Sequence, residues 1–116
     1  MNHLKLVVNN LNSSVERDSY FFNRSELKTI LDLYAKMVSE GLCKDYGLNI
    51  SKKEVSFIVY KRTSENAILR ICKNFRPNNK NLKYFILDFQ GNIVKMSKNL
   101  KELLNKTRWN NLKLVN

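Results

Sequence analysis

Basic and aromatic side chains are interleaved in one acid-free stretch of this 116-residue chain. No aspartate or glutamate occurs from Asn66 to Leu87. The basic residues in this stretch and just before it are Lys61, Arg62, Arg70, Lys73, Arg76, Lys80 and Lys83, and the aromatic residues among them are Tyr60, Phe75 and Tyr84. Proteins that bind single strands or RNA use cations for phosphates and aromatic rings for bases. The stretch therefore predicts a module that contacts nucleic acid or another polyanion.

A structural explanation of the same residues stays open. Tyr60 and Phe75 are also suited to a hydrophobic core, and lysines and arginines are common on the solvated rim of a domain. The sequence has no RNP-type motif, no Gly-x-x-Gly clamp and no helix-turn-helix pattern. No established nucleic-acid-binding motif therefore decides between the two explanations.

The chain as a whole is strongly basic, with a formal net charge of +11 and an isoelectric point near 9.8. Such a charge favours nucleic acid, anionic lipid or an acidic protein as partner. Lysine, asparagine and isoleucine share A/T-rich codons, however, so genome composition is a second explanation for the surplus. The two explanations differ in one observable, because a binding site needs its cations gathered into one region of the folded surface.

Arg70 has the most demanding position of the basic residues, because it lies in the middle of a strand-like apolar run. A guanidinium group among apolar neighbours needs a partner for its charge and its donors. The candidate partners are the carboxylates of Asp45, Glu54 and Glu65 and a ligand anion. Among these we expect an internal carboxylate.

The chain lacks the residue sets of ordinary catalysis and of metal binding. Its single histidine, His3, stands alone, and its two cysteines are far apart, so no zinc or haem spacing exists. Three glycines are too few for a P-loop or a Rossmann phosphate loop, and no Gly-x-Ser-x-Gly elbow occurs. We therefore expect a protein that is not an enzyme and that uses no metal or other cofactor.

Composition also predicts a cytoplasmic protein. The N-terminal residues contain no apolar core of a signal peptide, and no apolar run approaches the roughly 18 residues that cross a bilayer. Cys43 and Cys72 are then expected as reduced, buried or half-buried thiols rather than as a disulfide.

The elements that must position these residues begin with a helix in the first third of the chain. Asn23 and Glu26 have the spacing of a capping box, and Phe22 and Leu27 have that of a hydrophobic staple. The apolar residues that recur at helical spacing are Leu27, Ile30, Leu31, Tyr34, Met37 and Val38. Gly41 predicts a left-handed helix end of the Schellman type.

Period-two patterns after this helix predict antiparallel strands. The runs are 53–62 and 66–74 in a first hairpin, 82–89 and 93–97 in a second hairpin with its turn near Gly91, and 44–50 as a candidate fifth strand. A short second helix follows, capped by Ser97 or Asn99.

Side-chain parity assigns the faces of both hairpins if their connections are regular. In the first hairpin one face is expected to carry Val55, Phe57, Val59, Ile68, Arg70 and Cys72, and the other Ile58, Tyr60, Ala67, Leu69 and Ile71. In the second hairpin Phe85, Leu87, Phe89, Val94 and Met96 share one face. Asp88 is expected to pair with Lys95 on the other face. Both sheet faces therefore carry large apolar residues.

This order of elements predicts an α+β fold. We expect an antiparallel sheet of four to five strands in two hairpins, with the long N-terminal helix and the short C-terminal helix on one face. Residues 17–107 form the single domain, 1–16 a flexible lead-in and 108–116 a tail. The second apolar face needs a cover, which a terminal segment or a second copy of the chain would supply. This face gives the alternative function, a homodimeric or protein-interaction adaptor.

The spacing of residues along the helix and strands resembles a small family, seen mainly in alphaproteobacteria and catalogued as domain of unknown function 2794. The matching residues are Phe22, Arg24, Glu26, Leu27, Ile30, Leu31, Tyr34, Met37, Val38, Asp45, Tyr46, Phe57, Tyr60, Lys61, Arg62, Ser64 and Glu65. The resemblance implies a cytoplasmic origin and a shared fold. The family has no assigned activity, so it implies no mechanism.

Overall fold

The computed structural model describes residues 20–62 and 67–107, which form two helices and one sheet. The elements are α1 (Arg24–Ser39), β1 (Asp45–Ile50), β2 (Glu54–Tyr60), β3 (Ala67–Asn74), β4 (Tyr84–Asp88), β5 (Ile93–Ser97) and α2 (Leu100–Lys106), with a short 3-10 helix at Lys80–Leu82 between β3 and β4. The predicted lead-in and tail fall on residues outside those ranges. None of the described helices is long and apolar enough to cross a membrane.

Helix α1 begins and ends as its sequence predicts. The Asn23 side chain accepts a hydrogen bond from Glu26 N at 2.8 Å, and Glu26 Oε1 accepts one from Asn23 N at 2.7 Å, which completes the capping box. Gly41 has a φ of +76°, and Leu42 N donates to the carbonyl oxygen of Met37 at 2.9 Å. This is the Schellman ending, in which a left-handed glycine lets the chain turn back on the helix.

The five strands form one antiparallel meander in the order β1-β2-β3-β4-β5, which confirms the predicted fold class and the candidate fifth strand. Residues of both helices share one core with the same face of the sheet. We call this the helix face and the opposite one, on which neither described helix packs, the open face. At the N-terminus of α2, Asn99 accepts from Glu102 N at 2.9 Å, so Asn99 is the cap.

Helix α1 packs on β1 and β2 through aromatic rings. Tyr34 makes edge contacts with Tyr46 and Phe57, and those two rings stack with centroids 4.8 Å apart. The buried side of α1 is rotated from the predicted stripe, because Leu31 and Val38 are exposed. Glu26 is buried in the same row as Ile30 and Met37, so a carboxylate occupies a core position of the helix.

The predicted faces of the first hairpin are wrong. Phe57 lies opposite Ile71 and Val59 opposite Leu69, so these four side chains share the helix face. Arg70 lies opposite Ile58 on the open face. The cause is a β-bulge between Val59 and Tyr60, since one extra residue on β3 reverses the parity of every pair that follows.

The second hairpin is predicted correctly only in part. Phe85 lies opposite Met96 on the open face, but a second irregularity places Ile93, not Val94, opposite Leu87. The expected pair of Asp88 and Lys95 is not formed. Asp88 Oδ1 instead accepts from Gln90 N and Asn92 N, both at 2.9 Å, and so holds the turn. Gly91 adopts a φ of +87° there, which only glycine tolerates easily.

The polar centre of the fold is the Glu26 carboxylate. Glu26 Oε1 accepts a hydrogen bond from Lys73 Nζ at 2.8 Å in an ion pair whose side chains are 8% and 9% exposed. Glu26 Oε2 accepts from the buried Tyr84 hydroxyl. Lys73 Nζ also donates to the carbonyl oxygen of Phe21 at 2.9 Å. One carboxylate therefore joins the start of α1 to β3 and β4.

Both cysteines are buried free thiols, as predicted. Burial raises the pKa of Cys43 and of Cys72 from 9.0 to about 11, so both are protonated near neutral pH. Within the described residues, no three histidine, cysteine, aspartate or glutamate side chains are grouped as a metal site requires.

We expect Lys73→Met to lower the free energy of unfolding by about 3–5 kcal/mol, because it leaves a buried carboxylate without its counter-ion. Urea denaturation measures the change. The double variant Glu26→Gln/Lys73→Met should lose less than Lys73→Met alone, since it leaves no unpaired charge.

The matched control is Lys28→Met, which breaks the exposed ion pair of Lys28 with Asp32 on the same helix. Its cost should be only a few tenths of a kcal/mol. If Lys73→Met cost no more than this control, the buried pair would not be a main source of stability.

We also expect stability to fall as pH rises from about 9 to 11. In this range the native thiols of Cys43 and Cys72 keep protons that the unfolded chain has released, so rising pH favours unfolding. Below about pH 9 the two thiols contribute no pH dependence. Urea midpoints across this range should fall less steeply in Cys43→Ala/Cys72→Ala. Tyr84, whose pKa burial also raises, adds to the fall at the upper end in both proteins. An equal slope in both would show that other groups dominate.

Candidate nucleic-acid interface

Two loops meet at one end of the sheet. In a meander every second connection lies at the same end, so the β1–β2 turn (51–53) adjoins the β3–β4 loop (75–83). Phe75 N donates to the carbonyl oxygen of Lys53 at 2.9 Å, which joins the loop directly to the turn. The fold thus brings together residues that are more than twenty positions apart in sequence.

A groove of about 1090 Å³ lies between these loops and the start of the described chain. Its lining residues are Tyr20, Ile50, Ser51, Lys52, Lys53, Glu54, Asn74, Arg76 and Asn78. We call it the basic groove, because its described lining residues include Lys52, Lys53 and Arg76 and one carboxylate. That carboxylate, Glu54, is half-buried and accepts a hydrogen bond from Ser56 Oγ at 3.3 Å.

An aromatic ring forms one wall of the basic groove. Tyr20 is 44% exposed, and its ring contacts Phe75 edge-on with centroids 5.5 Å apart. Arg76 Nη2 makes a long hydrogen bond of 3.5 Å to the Tyr20 hydroxyl. Phe75 is half-buried against the core, and the Tyr20 ring packs on it at an angle of 79° while remaining partly exposed.

Side chains fix the backbone that carries the three cations. Ser51 Oγ accepts from Lys53 N at 3.2 Å and from Glu54 N at 3.1 Å, and Asn74 Oδ1 accepts from Arg76 N at 3.1 Å. Such local hydrogen bonds hold turn residues in one conformation. The cationic side chains therefore extend from a backbone that is already ordered.

Two of the predicted site residues do not reach the surface. Lys73 and Tyr84 are each 6% exposed, and both bind the Glu26 carboxylate. Lys73 is a core counter-ion, and Tyr84 has no free ring face for a base. Both leave the candidate set, because each is buried and its polar atom already binds Glu26.

Three more candidates lie elsewhere on the fold. Lys61 and Arg62 follow the end of β2, which spans about 20 Å, so they lie at the end of the sheet opposite the basic groove. Tyr60 lies at that end too, half-buried over Gly47. These three residues are therefore at the opposite end of the sheet from Arg76 and do not form one site with it.

Arg70 lies in the middle of the open face and is exposed. The prediction that an internal carboxylate pairs with Arg70 is wrong for the two candidates that the structure describes. Asp45 accepts from its neighbour Tyr46 N, and Glu54 accepts from Ser56. Glu65 lies outside the described residues, and Arg70 forms no ion pair with any residue inside them.

The remaining candidates belong to the β3–β4 loop. Lys80 starts the 3-10 helix, and Lys83 lies over the Tyr84 ring at 5.4 Å from its centroid. Sequence reasoning missed Tyr20, Lys52 and Lys53. The predicted strand order could have identified both lysines, because a meander places its first and third connections at the same end of the sheet.

The chain belongs to the family described as protein of unknown function (DUF2794), whose profile matches residues 20–104. The match covers all the described elements except the last residues of α2. No curated protein and no solved structure matches the chain.

We expect the triple variant Lys52→Gln/Lys53→Gln/Arg76→Gln to fold and to be more stable at low salt by a few tenths of a kcal/mol, because it removes repulsion among neighbouring cations. The control Lys36→Gln/Lys44→Gln/Lys95→Gln removes three exposed charges from α1, from the segment before β1 and from β5. The difference between the urea midpoints at low and at high salt should be smaller in the groove variant than in this control. Equal salt dependence in the two variants would mean that the groove cations do not act as a cluster.

Proposed function

We propose that the protein is a non-enzymatic module that binds single-stranded nucleic acid in the basic groove. The observation that supports this most is the meeting of Lys52, Lys53 and Arg76 with the exposed ring of Tyr20. Cations along a groove follow a phosphate backbone, and an exposed ring stacks with a base of any identity.

Each part of the groove has a role in this proposal. Lys52, Lys53 and Arg76 contact phosphates, and Tyr20 stacks on one base. The Asn78 amide offers a donor and an acceptor to the edge of a neighbouring base. Because stacking is tolerant of base identity, we expect modest sequence preference.

A single strand fits this site better than a duplex. A base pair hides the faces of its bases within the stack, whereas the Tyr20 ring needs an open base. Major-groove readers insert a helix or a two-stranded ribbon, and the basic groove is built from two loops and one aromatic side chain.

The cytoplasmic location remains part of the proposal. Its support is limited to composition, because buried free thiols such as Cys43 and Cys72 are common in proteins of a reducing compartment.

The test is the affinity of a fluorescent oligouridine, measured by anisotropy across a series of salt concentrations. The wild type should bind with a log–log salt slope of about −0.7 per phosphate neutralised. The groove triple variant should bind more weakly, with a slope about 2 smaller in magnitude, since it removes three cations. The control triple variant on Lys36, Lys44 and Lys95 should retain the wild-type slope.

Tyr20→Ala tests the stacking role separately. Loss of one stacked base should weaken binding by about 5- to 150-fold without changing the salt slope, because no charge is removed. If the groove and control triple variants weakened oligonucleotide binding equally, the net charge of the chain and not the basic groove would account for binding. If heparin competed fully and Tyr20→Ala had no effect, the ligand would be a polyanion without bases.

A further inference from the structure

The centre of the open face is buried although neither described helix packs on it. Ser56, Cys72 and Phe85 lie opposite one another on β2, β3 and β4, and they are 4%, 0% and 9% exposed. Met96 continues this row on the edge strand β5 and is 51% exposed. An uncovered sheet face is solvated across its width, so the contrast between centre and edge indicates a cover over the centre.

The buried row is chemically suited to such a cover. Ser56 Oγ donates a hydrogen bond to Glu54 Oε2 at 3.3 Å and lies 3.4 Å from Cys72 Sγ. The polar groups of the row are therefore paired with one another and need no water. Phe85 and the neighbouring Ile58 offer an apolar surface to whatever lies on them.

The cover belongs to the same chain, because these exposures are those of one chain by itself. Three stretches lie outside the described residues, namely 1–19, 63–66 and 108–116. The four residues 63–66 join β2 to β3 at the far end of the sheet. The stretch 108–116 follows Thr107, which borders a cleft with Ser25 and Leu33 of α1, on the helix side of the sheet. Neither starts beside the buried row.

The stretch before Tyr20 does start beside it. Phe22 is buried in the core under the helices, whereas Tyr20 borders the basic groove together with Glu54 and Asn74. Glu54 and Asn74 lie opposite each other, two positions from Ser56 and Cys72 on the same strands, so they belong to the open face. From Phe22 to Tyr20 the chain thus passes round the end of the sheet, and the buried row lies about 7 Å further along β2 and β3.

We propose that residues 4–15 of this chain cover the centre of the open face. We call them the N-terminal segment; their apolar residues are Leu4, Leu6, Val7, Val8, Leu11 and Val15. These side chains pack on Ile58, Cys72 and Phe85. Four residues separate the segment from Tyr20, which at about 3.3 Å per residue is enough to reach the buried row. The cover does not depend on nucleic-acid binding in the basic groove.

The Cys72 thiol reports on this cover, whereas the Cys43 thiol reports on the core under the helices. The rate of reaction with dithionitrobenzoate is measured on the full chain, with Cys43→Ala to follow Cys72 and Cys72→Ala to follow Cys43. The reference thiol is Asn49→Cys in the chain without both native cysteines, at the exposed β1 end of the same row. Cys72 should react about tenfold or more slowly than this reference, because its reaction requires local opening.

A matched pair of triple variants identifies the segment. Leu4→Asp/Leu6→Asp/Val8→Asp should raise the reaction rate of Cys72 about tenfold or more and leave that of Cys43 unchanged, since charges do not stay buried against an apolar face. The control Leu112→Asp/Leu114→Asp/Val115→Asp makes the same three changes near the other terminus and should leave both rates unchanged. Leu4→Ala/Leu6→Ala/Val8→Ala adds no charge and should raise the rate of Cys72 by a smaller factor.

Four results would overturn the proposal. The first is a Cys72 that reacts as fast as the reference thiol, and the second is no change of its rate in either N-terminal variant. The third is a Cys72 rate that rises in the C-terminal control or on dilution of the wild type, which would assign the cover to residues 112–115 or to a second copy. The fourth is an equal rise for Cys43 and Cys72 in both N-terminal variants, which would mean that the segment supports the whole fold and not this face.

Discussion

The buried Glu26 carboxylate is the interaction on which this structure depends. It completes the capping box at the start of α1, balances the charge of Lys73 and accepts the Tyr84 hydroxyl. A carboxylate in a core is unfavourable unless such partners surround it, and here each partner comes from a different element. The same contacts therefore satisfy the charge and fix the position of α1 on the sheet.

This arrangement also links the core to the proposed binding site. Lys73 Nζ donates to the carbonyl oxygen of Phe21, so the buried ion pair fixes the backbone directly beside Tyr20. Tyr20 in turn contacts Phe75 and Arg76 at the basic groove. A lysine of the acid-free stretch thus supports the groove from inside rather than contacting a ligand.

Local signals in the sequence predicted the elements well and their assembly less well. The caps of α1 and α2 and the glycine of the β4–β5 turn depend on neighbouring residues, so spacing alone identifies them. The faces of the first hairpin depended on the bulge at Val59 and Tyr60, which leaves no mark in the alternation of β2. The basic groove depended on topology, because Lys52 and Arg76 meet only when four strands are in order. The acid-free stretch was consequently a poor guide, since the fold distributes its cations among the core, the open face and both ends of the sheet.

The proposed binding mode places a single strand along the basic groove beside Tyr20. The most direct measurement is an amide chemical-shift titration of the labelled chain with a short oligouridine. We predict that the shifted amides belong to Tyr20, the turn at 51–53, and Asn74, Phe75, Arg76 and Asn78 where β3 meets the β3–β4 loop. Shifts centred on 61–62 or on α1, or no shifts at saturating oligonucleotide, would contradict the claim.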